Sequence, residues 1–403
     1  MKQKLTALAL ALALMMTWPA AAGAQEPVTE GGEDTQTQQA APNTARIELP
    51  SFDVPCRNAI LVCADTGEVL YEKAADDAVP IASITKVMTL LLALEAVQNG
   101  SITMQDIVPI SEHAYSMGGS QIWLEPGEQF TLDELVKAIC VCSANDAAVA
   151  VAEYVGGSEP AFAELMNKRA AELGMTNTHF VNACGLDTEG HVSSARDVAK
   201  MSAALLAHPI ILEYSQIWTD SLRGGATQLV NTNKLLQTYP GITGLKTGTT
   251  SKAGVCITAT AERDGMHLIA VVLGAASSEE RFQAATELLD YGFATYEQAE
   301  FPQLAQQFET LSVEGGAQRE VELSFETPPH VLVRKGEAGG LSARQQLPEK
   351  LSAPVEEGQE IGTVTLLSDG EELATYPVTA AQTVERMTFS AAFGMMCRAL
   401  LAV

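Results

Sequence analysis

Ser83-Ile84-Thr85-Lys86-Val87-Met88-Thr89-Leu90-Leu91-Leu92-Ala93-Leu94-Glu95-Ala96-Val97 is the stretch from which the rest of the chain can be read. Its Met, Leu and Ala content predicts one long helix from Thr85 to Val97, and Asn99-Gly100 supplies the stop. Upstream, the apolar run Ala59-Ile60-Leu61-Val62-Cys63-Ala64 ends at Asp65-Thr66-Gly67, and Val69-Leu70-Tyr71 follows: a strand, a tight turn and a second strand. Downstream, helices are expected over Thr131 to Ile139 and Asn145 to Val155, the second stopped by Gly156-Gly157. Thr131 and Glu134 have the spacing of a capping box. Further helices run from Glu159 to Leu173 and from Ser194 to Leu206, with Asp197 favourably placed in the first turn of the latter. The pattern then turns to β: Gly254 to Ala261 and His267 to Leu273 flank the turn Arg263-Asp264-Gly265 as antiparallel neighbours. Ser278 to Thr295 closes this region as a helix with Leu288, Leu289 and Phe293 on one face. Strands at both ends around a helical middle define an α/β class: an antiparallel sheet with flanking helices and a helical insert.

The chain of 403 residues is too long for one ordinary core. Residues 1–24 read as a signal peptide, with Lys2 and Lys4 ahead of the apolar run Leu5 to Met16 and Ala22-Gly23-Ala24 as a small-residue cleavage site. Residues 25–48 are rich in Glu, Gln, Thr and Ala, with too little apolar surface to offset ordering, and read as an acidic disordered tether. Residues 49–297 form the expected main domain. Residues 298–384 hold short β-type runs at Glu320 to Phe325, His330 to Val333, Glu360 to Leu366 and Glu371 to Val378, the mark of a small all-β domain. In residues 385–403, Phe389, Phe393, Met396 and Leu400 recur at helical spacing. About fifteen apolar-biased residues rise only about 22 Å, so this reads as an amphipathic helix lying on a membrane surface.

The net charge is −26, and removal of residues 1–24 takes away two lysines and no acid, moving it to −28. A nucleic-acid partner needs clustered Lys and Arg and is not expected. The seven cysteines, Cys56, Cys63, Cys140, Cys142, Cys184, Cys256 and Cys397, are odd in number and irregular in spacing, which speaks for buried thiols over a disulfide framework. A Cys56–Cys63 bridge is an open alternative. The histidines are scattered, and neither a metal nor any other cofactor is expected.

Three short motifs carry chemistry when taken together and in order: Ser83-Ile84-Thr85-Lys86, Ser143-Ala144-Asn145 and Lys246-Thr247-Gly248. A serine hydroxyl needs a base before it attacks a carbonyl. Three-residue spacing at a helix start brings Ser83 and Lys86 to one face. Burial in the apolar stretch lowers the pKa of Lys86, and a second cation, Lys246, lowers it further. Ser143, between two expected helices, is placed to relay a proton to a leaving amine. Asn145 has a donor and an acceptor with which to hold Lys86 and a substrate amide; capping of the following helix by Asn145-Asp146 is compatible with this. Lys246, Thr247, Gly248 and Thr249 begin an extended segment on an expected sheet edge, where a peptide can add as a strand and a terminal carboxylate can meet a charge and hydroxyls. The backbone N–H groups of Ser83 and Thr249 are the expected oxyanion donors.

These motifs resemble the low-molecular-mass penicillin-binding proteins, the serine-type D-alanyl-D-alanine carboxypeptidases. The likeness extends to Asp65-Thr66-Gly67-Glu68-Val69-Leu70-Tyr71, Gly119-Ser120 with Leu124-Glu125-Pro126-Gly127-Glu128, Asn182-Ala183-Cys184-Gly185-Leu186, Ser194-Ala195-Arg196-Asp197 and Leu289-Asp290-Tyr291-Gly292-Phe293, spanning Ala59 to Phe293. It implies a β-lactamase/transpeptidase-like fold, an exported protein at the outer face of the cytoplasmic membrane or in the periplasm, and peptidoglycan stem peptides as substrate. It also implies β-lactams as covalent inhibitors, with Ser83 as nucleophile, Lys86 as proton acceptor, Ser143 and Asn145 as the second motif and Lys246 in substrate binding. Two departures stand out: Thr249 occupies a position that is histidine in some members, and Cys140 and Cys142 flank the second motif, where packing is the expected role. A class A β-lactamase is the nearest competing reading; it fits less well because the second motif is Ser-Ala-Asn and no glutamate motif is evident between Ser143 and Lys246. A catalytically silent wall sensor is a third, disfavoured by the intact Ser83 and Lys86.

Overall fold

The computed structural model describes residues 50–304, 310–328, 330–390 and 392–393. The expected signal peptide and tether lie outside them. Five strands form the central sheet: β1 (Asn58–Cys63), β2 (Val69–Lys73), β3 (Ile242–Thr250), β4 (Gly254–Arg263) and β5 (Met266–Ala275), in the order β2-β1-β5-β4-β3 and antiparallel throughout. The apolar runs of β1 and β5 do not alternate with polar residues because both sheet faces are covered. Ala59, Leu61, Leu268, Ala270 and Val272 point to one side, against Ala284, Ala285, Leu288, Leu289 and Phe293 of α6 (Ser278–Thr295). Ile60, Val62, Ile269, Val271 and Leu273 point to the other, into a core shared with α1 (Lys86–Gln98) and α5 (Ala195–Leu206). Gly292 lets α6 settle on the sheet: a Cβ there would lie 2.5 Å from Leu268 Cδ1 and 3.0 Å from Leu61 Cδ2.

The helical insert contains α2 (Leu132–Val141), α3 (Asn145–Gly156) and α4 (Glu159–Glu172). The capping box is present: Thr131 Oγ1 accepts from Glu134 N, and Thr131 N donates to the Glu134 carboxylate. α1 is buried on nearly every side, which is why its sequence is apolar without amphipathic spacing. A hairpin, Thr219–Leu222 with Thr227–Val230, and a short helix, Glu112–Tyr115, add to the insert without a clear sequence signal.

The C-terminal part is all-β. A pair of strands, β6 (Tyr296–Glu300) and β9 (His330–Arg334), joins it to the sheet domain. Leu332 faces the core beneath α6, while Val331 and Val333 face a cluster with Leu366 and Ala374. The expected join at 297/298 therefore falls inside β6. The six-stranded sheet has the order β10 (Leu341–Gln346), β12 (Glu360–Ser368), β13 (Glu371–Ala380), β8 (Glu320–Ser324), β7 (Thr310–Glu314) and β11 (Leu351–Ser352).

The helix expected over residues 385–403 begins later than its sequence suggested. Ala317 N donates to Glu385 O at 2.7 Å, Met387 N donates to Gly315 O at 2.8 Å, and Arg386 bridges Gly316. Those backbone groups are spent on the β-domain, so Glu385–Met387 are not helical, and helical residues start at Phe389. Phe389 and Phe393 are exposed and stack with ring centroids 6.3 Å apart. Met396, Leu400 and most of that stretch lie outside the described residues. No helix among the described residues is long and apolar enough to cross a membrane. The six described cysteines are free thiols, so Cys56 and Cys63 are not bridged.

Candidate active site

Ser83 sits in a 3₁₀ turn, Ala82–Thr85, that feeds directly into α1. In such a turn residues three apart eclipse one another, and Ser83 Oγ lies 3.0 Å from Lys86 Nζ. Lys86 is wholly buried. Its amine makes two further contacts, to Asn145 Oδ1 at 2.6 Å and to the backbone carbonyl of Cys184 at 2.7 Å. Burial pushes its pKa down to about 8. The three partners are not equivalent. The two carbonyl oxygens only accept, whereas the serine hydroxyl can also donate. A neutral amine has two N–H groups and one lone pair; with both N–H groups given to the carbonyls, the lone pair is left for the Ser83 proton.

The second motif closes the site from the helical insert. Ser143 takes φ +64 in the link between α2 and α3 and is almost completely buried. Asn145 begins α3. Besides holding Lys86, its Nδ2 donates to Gly118 O at 2.6 Å and its backbone N to Ser120 O at 2.7 Å. Gly119 is required here: its φ is +82, and a Cβ would lie 2.8 Å from Asn145 Nδ2. The Asp146 carboxylate takes the N–H groups of Ile122, Leu124 and Ala147, tying the 118–124 loop to the start of α3.

The third motif lies on β3, the sheet edge, as the sequence suggested. Lys246 is 1% exposed and donates to Thr247 O at 3.0 Å. Burial first, and the charge of Lys86 second, push its pKa down to about 7. Thr247 Oγ1 donates to Thr232 Oγ1 at 2.7 Å. Gly248 backs onto the nucleophile turn: a Cβ would meet Ser83 N at 2.8 Å and Ile81 O at 3.1 Å. Thr249 is exposed on the same edge, its hydroxyl donating to Gly248 O. The structure therefore brings Ser83, Lys86 and Asn145 into direct contact, sets Gly248 against the Ser83 turn, and places Lys246 within electrostatic reach of Lys86; Ser143, Thr247 and Thr249 are their chain neighbours.

Sequence reasoning quoted residues 182–186 as part of the family likeness but missed their role as the back wall. Residues 181–187 reach across to both lysine-bearing elements. Cys184 O takes the Lys86 amine, and Ala183 O accepts from Thr89 Oγ1 at 2.6 Å. The Asp187 carboxylate takes the Thr250 hydroxyl at 2.7 Å, together with Ser251 Oγ and Lys252 N. Asn182 shapes this loop by accepting the N–H groups of Cys184, Gly185 and Leu186. Arg281 of α6 was missed as well. It is buried, donates to Cys256 O and Ser278 Oγ, has no partner for Nε among the described residues, and its charge also lowers the pKa of Lys246. Cys140 and Cys142 flank the second motif as protonated thiols, burial pushing them up to about 12 and about 11.

A five-stranded antiparallel sheet with a helical insert, carrying a serine and two buried lysines, has the make-up of the penicillin-binding serine peptidases. Residues 41–277 match the family described as D-alanyl-D-alanine carboxypeptidase, and residues 296–386 match the penicillin-binding protein 5 C-terminal domain. D-alanyl-D-alanine carboxypeptidase DacF of Bacillus subtilis is 44% identical over 337 residues, 83% of this chain and 87% of the relative. The crystal structure of penicillin-binding protein 5 from Haemophilus influenzae superposes with a TM-score of 0.76 at 29% identity, covering 84% of this chain and 100% of that one. Penicillin-binding protein D2 of Listeria monocytogenes, in its cefotaxime-bound form, matches with a TM-score of 0.56 at 36% identity, covering 60% of this chain and 99% of the other. The chain belongs to the D-alanyl-D-alanine carboxypeptidase family of hydrolases.

Proposed function

We propose that this chain removes the terminal D-alanine from peptidoglycan stem peptides through a covalent intermediate on Ser83. Ser83 Oγ attacks the carbonyl carbon between the two D-alanines while its proton passes to neutral Lys86. The oxyanion meets the N–H groups of Ser83 and Thr249. The tetrahedral intermediate collapses, the C–N bond breaks, and D-alanine leaves with the proton, which Ser143 relays. Water then attacks the ester, Lys86 takes its proton, and the shortened stem departs as Ser83 recovers its hydrogen. Lys246, with the field of Arg281 behind it, receives the substrate's terminal carboxylate. That contact favours the charged form of Lys246, whose charge in turn disfavours protonation of Lys86. Substrate binding thereby frees the base. The observation that carries this reading is the partner set of Lys86, which leaves one lone pair facing one hydroxyl.

A β-lactam imitates the D-alanyl dipeptide, and the Listeria relative has been seen with cefotaxime bound. Mixing the protein with benzylpenicillin and measuring intact mass is expected to give one adduct that maps to Ser83 and persists for minutes or longer. Rapid turnover without an adduct would identify a β-lactamase instead.

Residues 49–297 are taken as the catalytic part and 298–384 as a β-domain that carries it. Export on residues 1–24 places the enzyme at the cell envelope. The tail from Phe389 is taken to rest on the membrane surface, supported by the exposed, stacked Phe389 and Phe393. A protein ending at Arg386 is expected to stay in the supernatant when sedimented with lipid vesicles, while the full chain pellets with them; equal partitioning of the two would remove this role from the tail.

A further inference from the structure

Ala82, just before the nucleophile, has φ +50, a conformation that a residue with a side chain seldom adopts. Its carbonyl is held from behind. Thr85 Oγ1 donates to Ala82 O at 2.9 Å, and the same hydroxyl lies 2.7 Å from His191 Nε2. At the other side of that ring, Val181 N donates to His191 Nδ1 at 3.0 Å. The directions follow from the donors. A backbone N–H on Nδ1 makes that nitrogen an acceptor, so the ring proton is on Nε2. Thr85, which gives its own proton to Ala82 O, accepts the one from Nε2. Thr85 and His191 are buried, and burial keeps the ring neutral by pushing its pKa down to about 4. Gly185 presses on the same carbonyl; a Cβ there would lie 1.9 Å from Ala82 O.

The Ala82–Ser83 peptide unit is planar, so its C=O and N–H point in opposite directions. Holding the Ala82 carbonyl from behind aims the Ser83 N–H forward, against Gly248 of β3, where the oxyanion is expected to form. We propose that Thr85 and His191 form a positioning pair that orients the Ser83 N–H for transition-state stabilisation through the chain Val181 N–H, His191, Thr85, Ala82 C=O. Neither residue touches substrate, and the inference rests on Ser83 being the nucleophile.

The test compares Thr85→Val, which keeps the shape and removes the hydroxyl, with Thr85→Ser, which keeps the hydroxyl. His191→Phe and His191→Gln are compared in the same way, the glutamine restoring an N–H donor. The readouts are kcat and KM for D-alanine release, the benzylpenicillin acylation rate and the melting temperature. Losing one aimed oxyanion donor lowers kcat by about 10²-fold, so Thr85→Val is expected to fall about 30- to 100-fold in kcat with KM within about threefold. Thr85→Ser is expected within about threefold of the unaltered enzyme, His191→Gln closer to it than His191→Phe, and the Thr85→Val/His191→Phe double variant no worse than the weaker single, because one chain is cut twice. The proposal is overturned if Thr85→Val keeps kcat within twofold, if valine and serine behave alike, if KM alone changes, or if the two sites act additively. Should Thr85→Val fail to fold, the His191→Gln and His191→Phe comparison decides by the same criteria. Ser83→Ala, run alongside, separates the two claims: an active Ser83→Ala enzyme refutes the nucleophile, while an inactive one beside a fully active Thr85→Val refutes only the positioning pair.

Discussion

Ser83→Ala is expected to lower the rate of D-alanine release by at least about 10⁴-fold, since removing the nucleophile of a serine hydrolase leaves only what binding and the oxyanion site contribute. The fold should be unaffected. The Ser83 side chain is only half-buried, its hydroxyl contacts Lys86, and that amine keeps its bonds to Asn145 and Cys184. The melting temperature should therefore stay close to that of the unaltered chain. The benzylpenicillin adduct should vanish from the intact-mass spectrum while reversible penicillin binding persists, because Lys246, Thr249 and the strand edge are unchanged. Release of D-alanine within tenfold of the unaltered enzyme would place the nucleophile elsewhere and end the mechanism given above. Loss of both activity and melting cooperativity would instead mean that the hydroxyl matters to folding, and Ser83→Cys, which keeps a nucleophile of similar size, would then separate the two roles by its own adduct.

Much of this site was open to inspection in the chain. Elements that bury one face or carry punctuation gave themselves away: Thr131 with Glu134, Asn99-Gly100, and the Arg263-Asp264-Gly265 turn each mark a boundary that the structure keeps to within a residue or two. The three motifs were legible because a serine acyl-transfer site needs those side-chain types together, a hydroxyl, a base and a second cation. What stayed hidden were interactions without a side-chain signature. Cys184 contributes a backbone carbonyl to Lys86 across 98 residues of sequence, and any residue could supply it. Gly185 reads as a turn residue, and nothing local says that Ala82 O fills the space of its missing Cβ. His191 was set aside with the scattered histidines, yet it is buried behind the nucleophile turn. The chain end shows the converse. A helical repeat of Phe389 and Phe393 is real, but periodicity is blind to backbone partners, and those at Gly315 and Ala317 delay the helix.

The second large effect concerns Lys86. Lys86→Met removes the base, leaves Asn145 Oδ1 and Cys184 O without their amine, and should lower acylation by about 10³-fold or more. Lys86→Arg is the sharper variant. It keeps the positive charge, but a guanidinium with a pKa above about 12 takes no proton at working pH. If Lys86 acts as a base, the arginine variant should be as inactive as the methionine one; if it serves only as a fixed charge, arginine should restore much of the rate. The pH profile tests the same claim without mutation. Two buried cations at close quarters titrate as a pair. With both protonated, no base exists, so kcat/KM should rise with pH as the first proton leaves a pair whose burial and mutual repulsion hold both amines below the usual lysine range. With neither protonated, the substrate carboxylate loses its counter-charge, so kcat/KM should fall at higher pH as the second leaves. The form that works carries one proton between two amines. In the substrate complex the carboxylate stabilises that proton on Lys246, so the alkaline limb of kcat should lie above that of kcat/KM. In Lys246→Met the pair no longer exists: Lys86 loses a neighbouring positive charge, and its pKa should move upward, carrying the rising limb to higher pH. A rising limb that shifts downward in that variant, or two limbs that coincide in kcat and kcat/KM, would show that the amines do not share a proton and that Lys86 is freed by something other than the bound carboxylate.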